Sequence, residues 1–164
     1  MIIMERIHKL QNHPVFTEQY RLLREAEQER FFCRHTMEHF LDVARLMYIY
    51  NLEDEAGLDK ELIYAAALLH DIGRYEQISC GTPHHIAGAG IAGLIMRDCG
   101  FDENEIHAVQ EAIQSHRTEN GQEEGNRLAV YLYLADKQSR NCFACQAFSE
   151  CNWPAEKKNM LIRY

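Results

Sequence analysis

Hydrophobic residues recur every three or four positions along almost the whole chain, which is the spacing of one face of an α-helix. The sequence lacks the runs of alternating β-branched and polar residues that half-buried strands require. We therefore predict an all-α fold, a bundle of about six to seven helices.

The most apolar of these stretches, Ala65 to Leu69, is hydrophobic on every side, so we expect it to lie at the centre of the bundle. It ends at the sequence His70-Asp71-Ile72-Gly73. Residues 141–164 form a cysteine-containing tail that follows the helical core, which spans about residues 14–140. The predicted helices cover approximately residues 14–32, 36–50, 59–70, 84–98, 102–116 and 126–140.

The length and composition fit one domain. With 164 residues, of which 46% are hydrophobic, residues 1–164 are enough for one core but not for a second full domain. No apolar run approaches the roughly 18 residues that cross a bilayer, and the N-terminus has no hydrophobic core of a signal peptide. We expect a cytoplasmic protein with no membrane partner.

The charge restricts the partners further. The net charge is −8, and lysines and arginines form no extended basic stripe, so duplex nucleic acid is not an expected partner. A small anionic substrate would need a metal ion or individual arginines to offset the overall field. A homodimer is compatible with the sequence but is not indicated by it.

Histidines and aspartates in hydrophobic surroundings point to a metal site. A charged pair such as His70-Asp71 is costly at the end of a buried helix unless it is paired or bound to a metal. Each histidine alone could be a core residue bonded to a backbone carbonyl, but imidazole and carboxylate together suit iron, manganese, nickel, zinc or cobalt. Further candidates at helix ends or on apolar helices are His39, His84, His85, His116 and Asp136.

The sequence resembles the HD superfamily of metal-dependent phosphohydrolases over roughly residues 36–140. The resemblance lies in His39 within His-Phe-Leu-Asp-Val-Ala, in Leu68-Leu69-His70-Asp71-Ile72-Gly73, and in Ala135-Asp136-Lys137. It implies an HD-type helical bundle and hydrolysis of a phosphate ester or anhydride of a nucleotide or another small phosphate compound.

Some branches of this superfamily bind two metals, and the resemblance extends to their additional histidines. It implies that His39, His70, Asp71 and Asp136 hold one divalent ion, while Asp71 bridges to a second ion held by His84 and His116. His85 replaces His84 if the loop is shifted by one residue. The ions could be iron, manganese, nickel, cobalt, zinc or magnesium, and Asp71 would share in activating a hydroxide that attacks the phosphorus.

Nearby cations are candidates for binding the phosphate. Arg74 stands one turn beyond Asp71, where similar proteins usually carry lysine, and its guanidinium could hold a phosphate oxygen. Lys137 and Arg140 follow Asp136 on the same predicted helix; they could reach the substrate or be solvated charges at a helix end. We expect catalytic roles for Arg74 and Lys137. His35, one turn before His39, could contact the substrate, orient a ligand or cap a helix.

The cysteines suggest a second, structural site. Cys142, Cys145 and Cys151 lie close together in the tail, and Cys33 precedes the first predicted ligand helix. These four thiols could bind a structural zinc or an iron-sulfur cluster, but the spacing is half of a four-cysteine pattern. Free buried thiols and redox sensing remain the alternatives.

Two other functions are compatible with the same ligands. HD proteins resembling inositol oxygenase use two irons to activate oxygen instead of water, and the sequence does not distinguish them. The third hypothesis is a non-catalytic module that senses a nucleotide or a metal.

Overall fold

The structure, a computed structural model, describes residues 3–116 and 126–164, and its regular elements in these ranges are all helical. The all-α prediction is confirmed. Among the described residues, no helix combines the length and the hydropathy needed to span a bilayer. Short 3₁₀ helices cover Cys142–Ala144 and Ala155–Lys157 in the tail. The α-helices are α1 (Glu5–Gln11), α2 (Pro14–Ala26), α3 (Met37–Glu53), α4 (Lys60–Leu69), α5 (Arg74–Cys80), α6 (His84–Cys99), α7 (Glu103–Ser115) and α8 (Arg127–Gln138).

Helix α4 lies at the centre, as its all-round hydrophobicity predicts. It packs against α1, α3, α6, α7 and α8, and every residue from Ala65 to Leu69 is buried. Asp59 caps its first turn by accepting a hydrogen bond from the backbone N–H of Leu62 at 3.0 Å. The three consecutive alanines have short side chains, which lets neighbouring helices approach closely.

The turn after α4 is pressed against the start of α6. A Cβ atom on Gly73 would overlap the carbonyl oxygen of His84 and would stand 2.5 Å from the backbone nitrogen of Gly88. Only a residue without a side chain fits at this position. The contact between Gly73 and Gly88 therefore sets how close the first turn of α6 comes to the His70-Asp71 pair.

The helix boundaries differ from the predictions mainly in the first third of the chain. Helix α2 ends at Ala26 rather than near Phe32, because the chain turns back so that the His35 backbone N–H reaches the buried Glu27 carboxylate, a contact that a continuous helix would prevent. The short helices α1 and α5 were not predicted. Helix α5 buries no residue and α1 buries only Ile7 and Leu10, so neither carries a periodic apolar face in the sequence.

Arg6 ties α1 to the rest of the bundle. Its Nε donates to Glu61 Oε2 at 2.5 Å, its Nη1 to Glu105 Oε1 at 2.9 Å and its Nη2 to Asp59 Oδ1 at 2.9 Å. The guanidinium carbon also lies 4.1 Å from the centre of the Phe101 ring. One cation therefore joins three helix beginnings, those of α1, α4 and α7.

The tail is attached to the end of α8. The side-chain amide of Asn159 donates to the carbonyl oxygens of Lys137 at 2.6 Å and Arg140 at 2.9 Å. The backbone N–H of Phe143 donates to the Asn159 carbonyl at 3.1 Å. These bonds satisfy carbonyls that a helix end leaves open and hold the tail beside the C-terminus of α8.

Candidate metal centre

Four side chains, from α3, from α8 and from the turn that ends α4, converge at one end of α4. His39 comes from the first turn of α3, His70 and Asp71 from the end of α4, and Asp136 from the last turn of α8. One ligand atom from each lies within 4.8 Å of the others. Asp136 Oδ1 is 3.3 Å from His39 Nε2 and 3.6 Å from His70 Nε2, and His70 Nε2 is 3.0 Å from Asp71 Oδ2.

A second group shares Asp71 with the first. It consists of Asp71, His84 and His116, whose ligand atoms also lie within 4.8 Å of one another. Asp71 Oδ1 is 3.5 Å from His84 Nε2 and 3.9 Å from His116 Nε2. The two oxygens of this carboxylate therefore face different groups: Oδ2 faces His70, and Oδ1 faces His84 and His116.

Hydrogen bonds fix which nitrogen of each ring faces the cluster. Nδ1 of His70 donates to the Ala67 carbonyl at 2.7 Å, and Nδ1 of His116 donates to the Ile113 carbonyl at 2.5 Å. Both histidines directly follow a helix, so each ring binds a carbonyl of its own last turn. With Nδ1 protonated, the lone pair of Nε2 points at the carboxylates.

His39 is oriented in the same way by its neighbours. A guanidinium only donates, so the 3.0 Å contact from Arg140 Nη2 makes Nε2 of His39 the acceptor. Nδ1 of His39 then carries the proton and donates to Ser139 Oγ at 3.2 Å, and this hydroxyl donates to the Asp136 carbonyl at 3.0 Å. Ser139 therefore positions both the ring and the helix turn that bears Asp136.

These residues fit divalent metal ions. Nε2 of His70 is fully buried 3.0 Å from Asp71 Oδ2, yet among residues 3–116 and 126–164 no group meets it with the geometry of a hydrogen bond. A bound cation would satisfy this atom. Imidazole nitrogens with carboxylate oxygens form the donor set that iron, manganese, nickel, zinc and cobalt accept.

The charges in the cluster support the same conclusion. Burial lowers the pKa values of His39 and His116 to about 4, so both rings are neutral. Burial opposes ionisation of Asp71 and Asp136, but the surrounding histidines outweigh it and hold both pKa values well below the usual range. Burial lowers the pKa of His70, but the two carboxylates outweigh this effect and raise the pKa to about 10. In metal-free protein a proton on His70 therefore takes the place of a cation.

The predicted substrate-binding cations surround the centre. Arg74 Nε donates to Asp71 Oδ1 at 2.8 Å, and Lys137 Nζ donates to Asp136 Oδ2 at 3.4 Å. Both side chains, with Arg140 and His35, line a cavity of about 680 Å³ that opens beside His39 and Asp136. The structure therefore brings every predicted substrate-binding residue to the same opening.

His35 is held by a residue that the sequence does not reveal. Its Nδ1 lies 2.6 Å from Glu27 Oε1, its backbone N–H donates to Glu27 Oε2 at 2.8 Å, and its Nε2 lies 3.5 Å from Asp71 Oδ2. Glu27 stands in a run of acidic and amide residues in which nothing distinguishes it. Gln77 was missed as well; its Oε1 lies 2.6 Å from Nδ1 of His84.

The structure separates His84 from His85. His84 is 1% exposed and belongs to the second ligand group, whereas His85 is half-buried and belongs to neither group found among the described residues. The arrangement therefore favours the register in which His84 faces Asp71.

The cysteines share a location without forming a tight cluster. Cys33, Cys142, Cys145 and Cys151 all line the cavity, and all are free thiols. In the described part of the chain, however, no three of these sulfurs come within 4.8 Å of one another, as ligands of one ion would. The geometry thus gives no support to a structural zinc or an iron-sulfur cluster at these residues.

Comparison with known proteins places the chain in a family. The HD domain family matches residues 36–141. An uncharacterized protein of Clostridium beijerinckii is 38% identical over 98% of this chain and 100% of its own length. A crystal structure of a predicted HD superfamily hydrolase from an uncultured Thermotogales bacterium has a TM-score of 0.62 and 25% identity, covering 94% of this chain and 87% of that one.

More distant relatives are larger proteins. Ribonuclease Y of Oleidesulfovibrio alaskensis is 30% identical over 59% of this chain, but the match covers 18% of that protein. Ribonuclease Y of Mycoplasma mycoides is 26% identical over 83% of this chain and 29% of its own length. The family match spans His39, the His70-Asp71 pair and Asp136, the residues on which the resemblance was based. The chain belongs to the HD domain family.

Proposed function

We propose that this protein is a metal-dependent phosphohydrolase that cleaves a phosphate ester or anhydride of a nucleotide or another small phosphate compound. The observation that carries the proposal is the position of Asp71, whose two oxygens face two separate groups of histidines. A carboxylate so placed is suited to bridge two divalent ions. Two ions held by these residues would polarise phosphoryl oxygens and lower the pKa of bound water towards neutrality.

The chain itself supplies the groups that hold the phosphate. Arg74, at the start of α5, and Arg140, two residues beyond α8, both line the cavity and offer several N–H donors each, a geometry that matches phosphoryl oxygens. Lys137 adds a third cation beside Asp136. These groups can neutralise negative charge that the overall field of the acidic protein would repel.

His35 is the candidate for contacts with the departing group. Glu27 fixes its ring, Nε2 lies 3.5 Å from Asp71 Oδ2, and the residue lines the cavity. Because Nδ1 donates to Glu27, Nε2 can donate a hydrogen bond only when the ring is an imidazolium; from that form it would donate to the bridging oxygen of a substrate and stabilise charge that develops there. Glu27 would position the ring without touching the substrate.

The names of the relatives are consistent with this class of reaction. One is a predicted HD superfamily hydrolase, and several are ribonucleases, enzymes that by name cleave phosphodiester bonds in RNA. The chain spans less than a third of the two ribonucleases compared above, so cleavage of RNA is not carried over to it.

The test is metal analysis of protein purified without oxygen, followed by a phosphate-release screen across nucleotides and small phosphate esters. We expect about two equivalents of divalent metal per chain and phosphate release that a chelator abolishes. Asp71→Asn should lose metal and turnover, whereas Asp98→Asn, at an exposed carboxylate, should lose neither. Oxygen consumption by an iron-loaded protein that releases no phosphate would instead identify an oxygenase.

A further inference from the structure

The cavity beside the metal centre extends well beyond the space that a phosphate group needs. Its volume is about 680 Å³, which lies in the range of pockets that enclose whole cofactor-sized molecules. Of the predicted metal ligands, His39 and Asp136 line it, and most of the lining comes from other residues. The rest must accommodate what the phosphate is attached to.

One wall of the cavity comes from segments outside the family match. Residues 30–35, before α3, and the tail from Cys142 to Lys158 supply most of that wall, whereas the HD domain match covers residues 36–141. The parts of this chain that form this wall thus lie outside the residues that the family match covers. Selectivity for the distal half of a substrate would reside in them.

Aromatic rings are concentrated on this wall. Phe32, Phe148 and Trp153 all line the cavity, and Trp153 is half-buried while the two phenylalanines remain about 40% exposed. Lys158 stands over the Phe148 ring, with Nζ 4.5 Å from its centre, and donates to the carbonyl oxygens of Phe148 and Cys151. This lysine fixes the backbone that carries the rings. Flat apolar faces of this kind bind flat rings.

Positive charge is concentrated on the same cavity in an otherwise acidic protein. Two lining residues are acidic, Asp42 and Asp136, against a net charge of −8 for the whole chain. A ligand that is anionic at one end and planar at the other would match this combination of rings and cations. The basic lining residues are Arg30, Arg34, Arg74, Lys137, Arg140 and Lys158.

We propose that the tail, through Trp153 and Phe148, recognises the base of a nucleoside monophosphate whose phosphate lies at the metal centre. The inference deepens the proposed function and rests on it for the placement of the phosphate. Trp153 and Phe148 are then specificity-determining residues, and a sugar phosphate without a base is a poor ligand.

The test compares two ligands that differ only in the base. Adenosine 5′-monophosphate and ribose 5-phosphate are used as analogues in which a methylene group replaces the bridging ester oxygen, so that neither can be hydrolysed during titration. Trp153 is the single tryptophan of the chain, so its fluorescence reports directly on this wall. We expect the adenosine analogue to change the fluorescence and to bind the metal-loaded protein at least about tenfold more tightly than the ribose analogue.

Variants then locate the contact by calorimetry. Trp153→Leu and Phe148→Leu should each weaken binding of the adenosine analogue, by roughly fivefold to tenfold, and leave binding of the ribose analogue unchanged. Phe143→Leu is the matched control, because Phe143 belongs to the same tail but lines a different hollow, beside Leu161 and Tyr164. Circular dichroism checks that each variant is folded.

Equal affinities for the two analogues, or unchanged binding in both tail variants, would overturn the recognition of a base. Selective binding of the adenosine analogue by a protein that hydrolyses no phosphate compound would support this wall as a nucleotide site and reject the phosphohydrolase. The two proposals therefore fail in different measurements: one in binding, the other in phosphate release.

Discussion

At the scale of single residues, the centre depends on how each side chain is oriented. Asp71 is 1% exposed and is approached by His70, His84 and Arg74 from different directions. The His-Asp pair and the later Asp can be found from the sequence because their neighbours form recognisable strings. Glu27 and Gln77 cannot, because a single polar residue that turns inward leaves no periodic pattern.

A first prediction separates the two adjacent histidines at the start of α6. His84→Ala should remove a ligand of the second group, so that metal content falls from about two equivalents to about one. His85→Ala, one position along the chain, should keep both, because His85 lies outside the ligand groups. Elemental analysis of the purified variants checks this. Retention of both ions in His84→Ala would reject the second site as described.

A second prediction concerns Arg74. Its replacement by alanine removes a donor to the substrate but no metal ligand, so metal content should stay unchanged while KM rises roughly tenfold or more. Steady-state kinetics with the best substrate from the phosphate-release screen provides the measurement. Arg74→Lys keeps the charge but not the planar set of donors, so its KM should lie between those of the parent and of Arg74→Ala. Loss of metal in Arg74→Ala would mean that the arginine supports Asp71 instead.

At the scale of helices, the sequence predicts elements where burial is periodic and misses them where it is not. Helix α4 is recognisable because it is buried on every side. Helix α5 follows the His-Asp turn directly, yet none of its residues is buried, so its amino acids carry no signal of an inward face. The position of α5 is set by the turn before it, in which Gly73 allows α6 to pack closely.

A third prediction tests that contact. Gly73→Ala would force apart the turn after α4 and the first turn of α6, with an expected loss of roughly 1–3 kcal/mol in the free energy of unfolding. Metal content should fall as well, because His84 moves with α6. Chemical denaturation and elemental analysis measure the two effects.

The matched control is Gly90→Ala on the same helix. A Cβ atom there meets nothing within 4 Å, so alanine should stabilise the protein by up to about 1 kcal/mol. A Gly73→Ala protein as stable as the parent and with full metal content would show that the helices can separate without consequence.

At the scale of the whole molecule, distant parts of the chain are joined by a few polar contacts that no sequence pattern announces. The Arg6 guanidinium binds acidic residues at the starts of α4 and α7, which lie 53 to 99 positions away. Burial raises the pKa of Glu61, but hydrogen bonds from Arg6 outweigh it, and the net shift is downward. The tail likewise reaches the cavity through contacts with the end of α8.

A fourth prediction follows for stability and pH. Arg6→Met should lower the free energy of unfolding by roughly 1–2 kcal/mol near neutral pH, after allowing for solvent screening of a partly exposed network. The pKa of Glu61 is lowered by folding, so its contribution is present above the ordinary value of 4.5 and is lost as the pH falls through the folded value. The difference in the free energy of unfolding between the parent and Arg6→Met should therefore become smaller as the pH falls.

Urea unfolding at several pH values measures that difference. Arg21→Met serves as the control, because Arg21 pairs only with exposed glutamates of its own helix among the contacts described, and its loss should leave stability nearly unchanged. A gap between parent and Arg6→Met that stays constant down to acid pH would reject the role assigned to the Glu61 carboxylate.

Both α4 and α7 end at the metal centre, and this has an electrostatic consequence for the order of binding. The C-terminus of a helix carries the negative end of its macrodipole, which attracts cations and repels anions. The N-termini of α3 and α6 reach the same centre through His39 and His84, and their positive ends oppose these negative ends. Before any ion is bound, the field at the centre therefore depends mainly on the two buried carboxylates, Asp71 and Asp136. We expect the metals to enter first, because a phosphate can contact this centre only after bound cations have neutralised the two carboxylates.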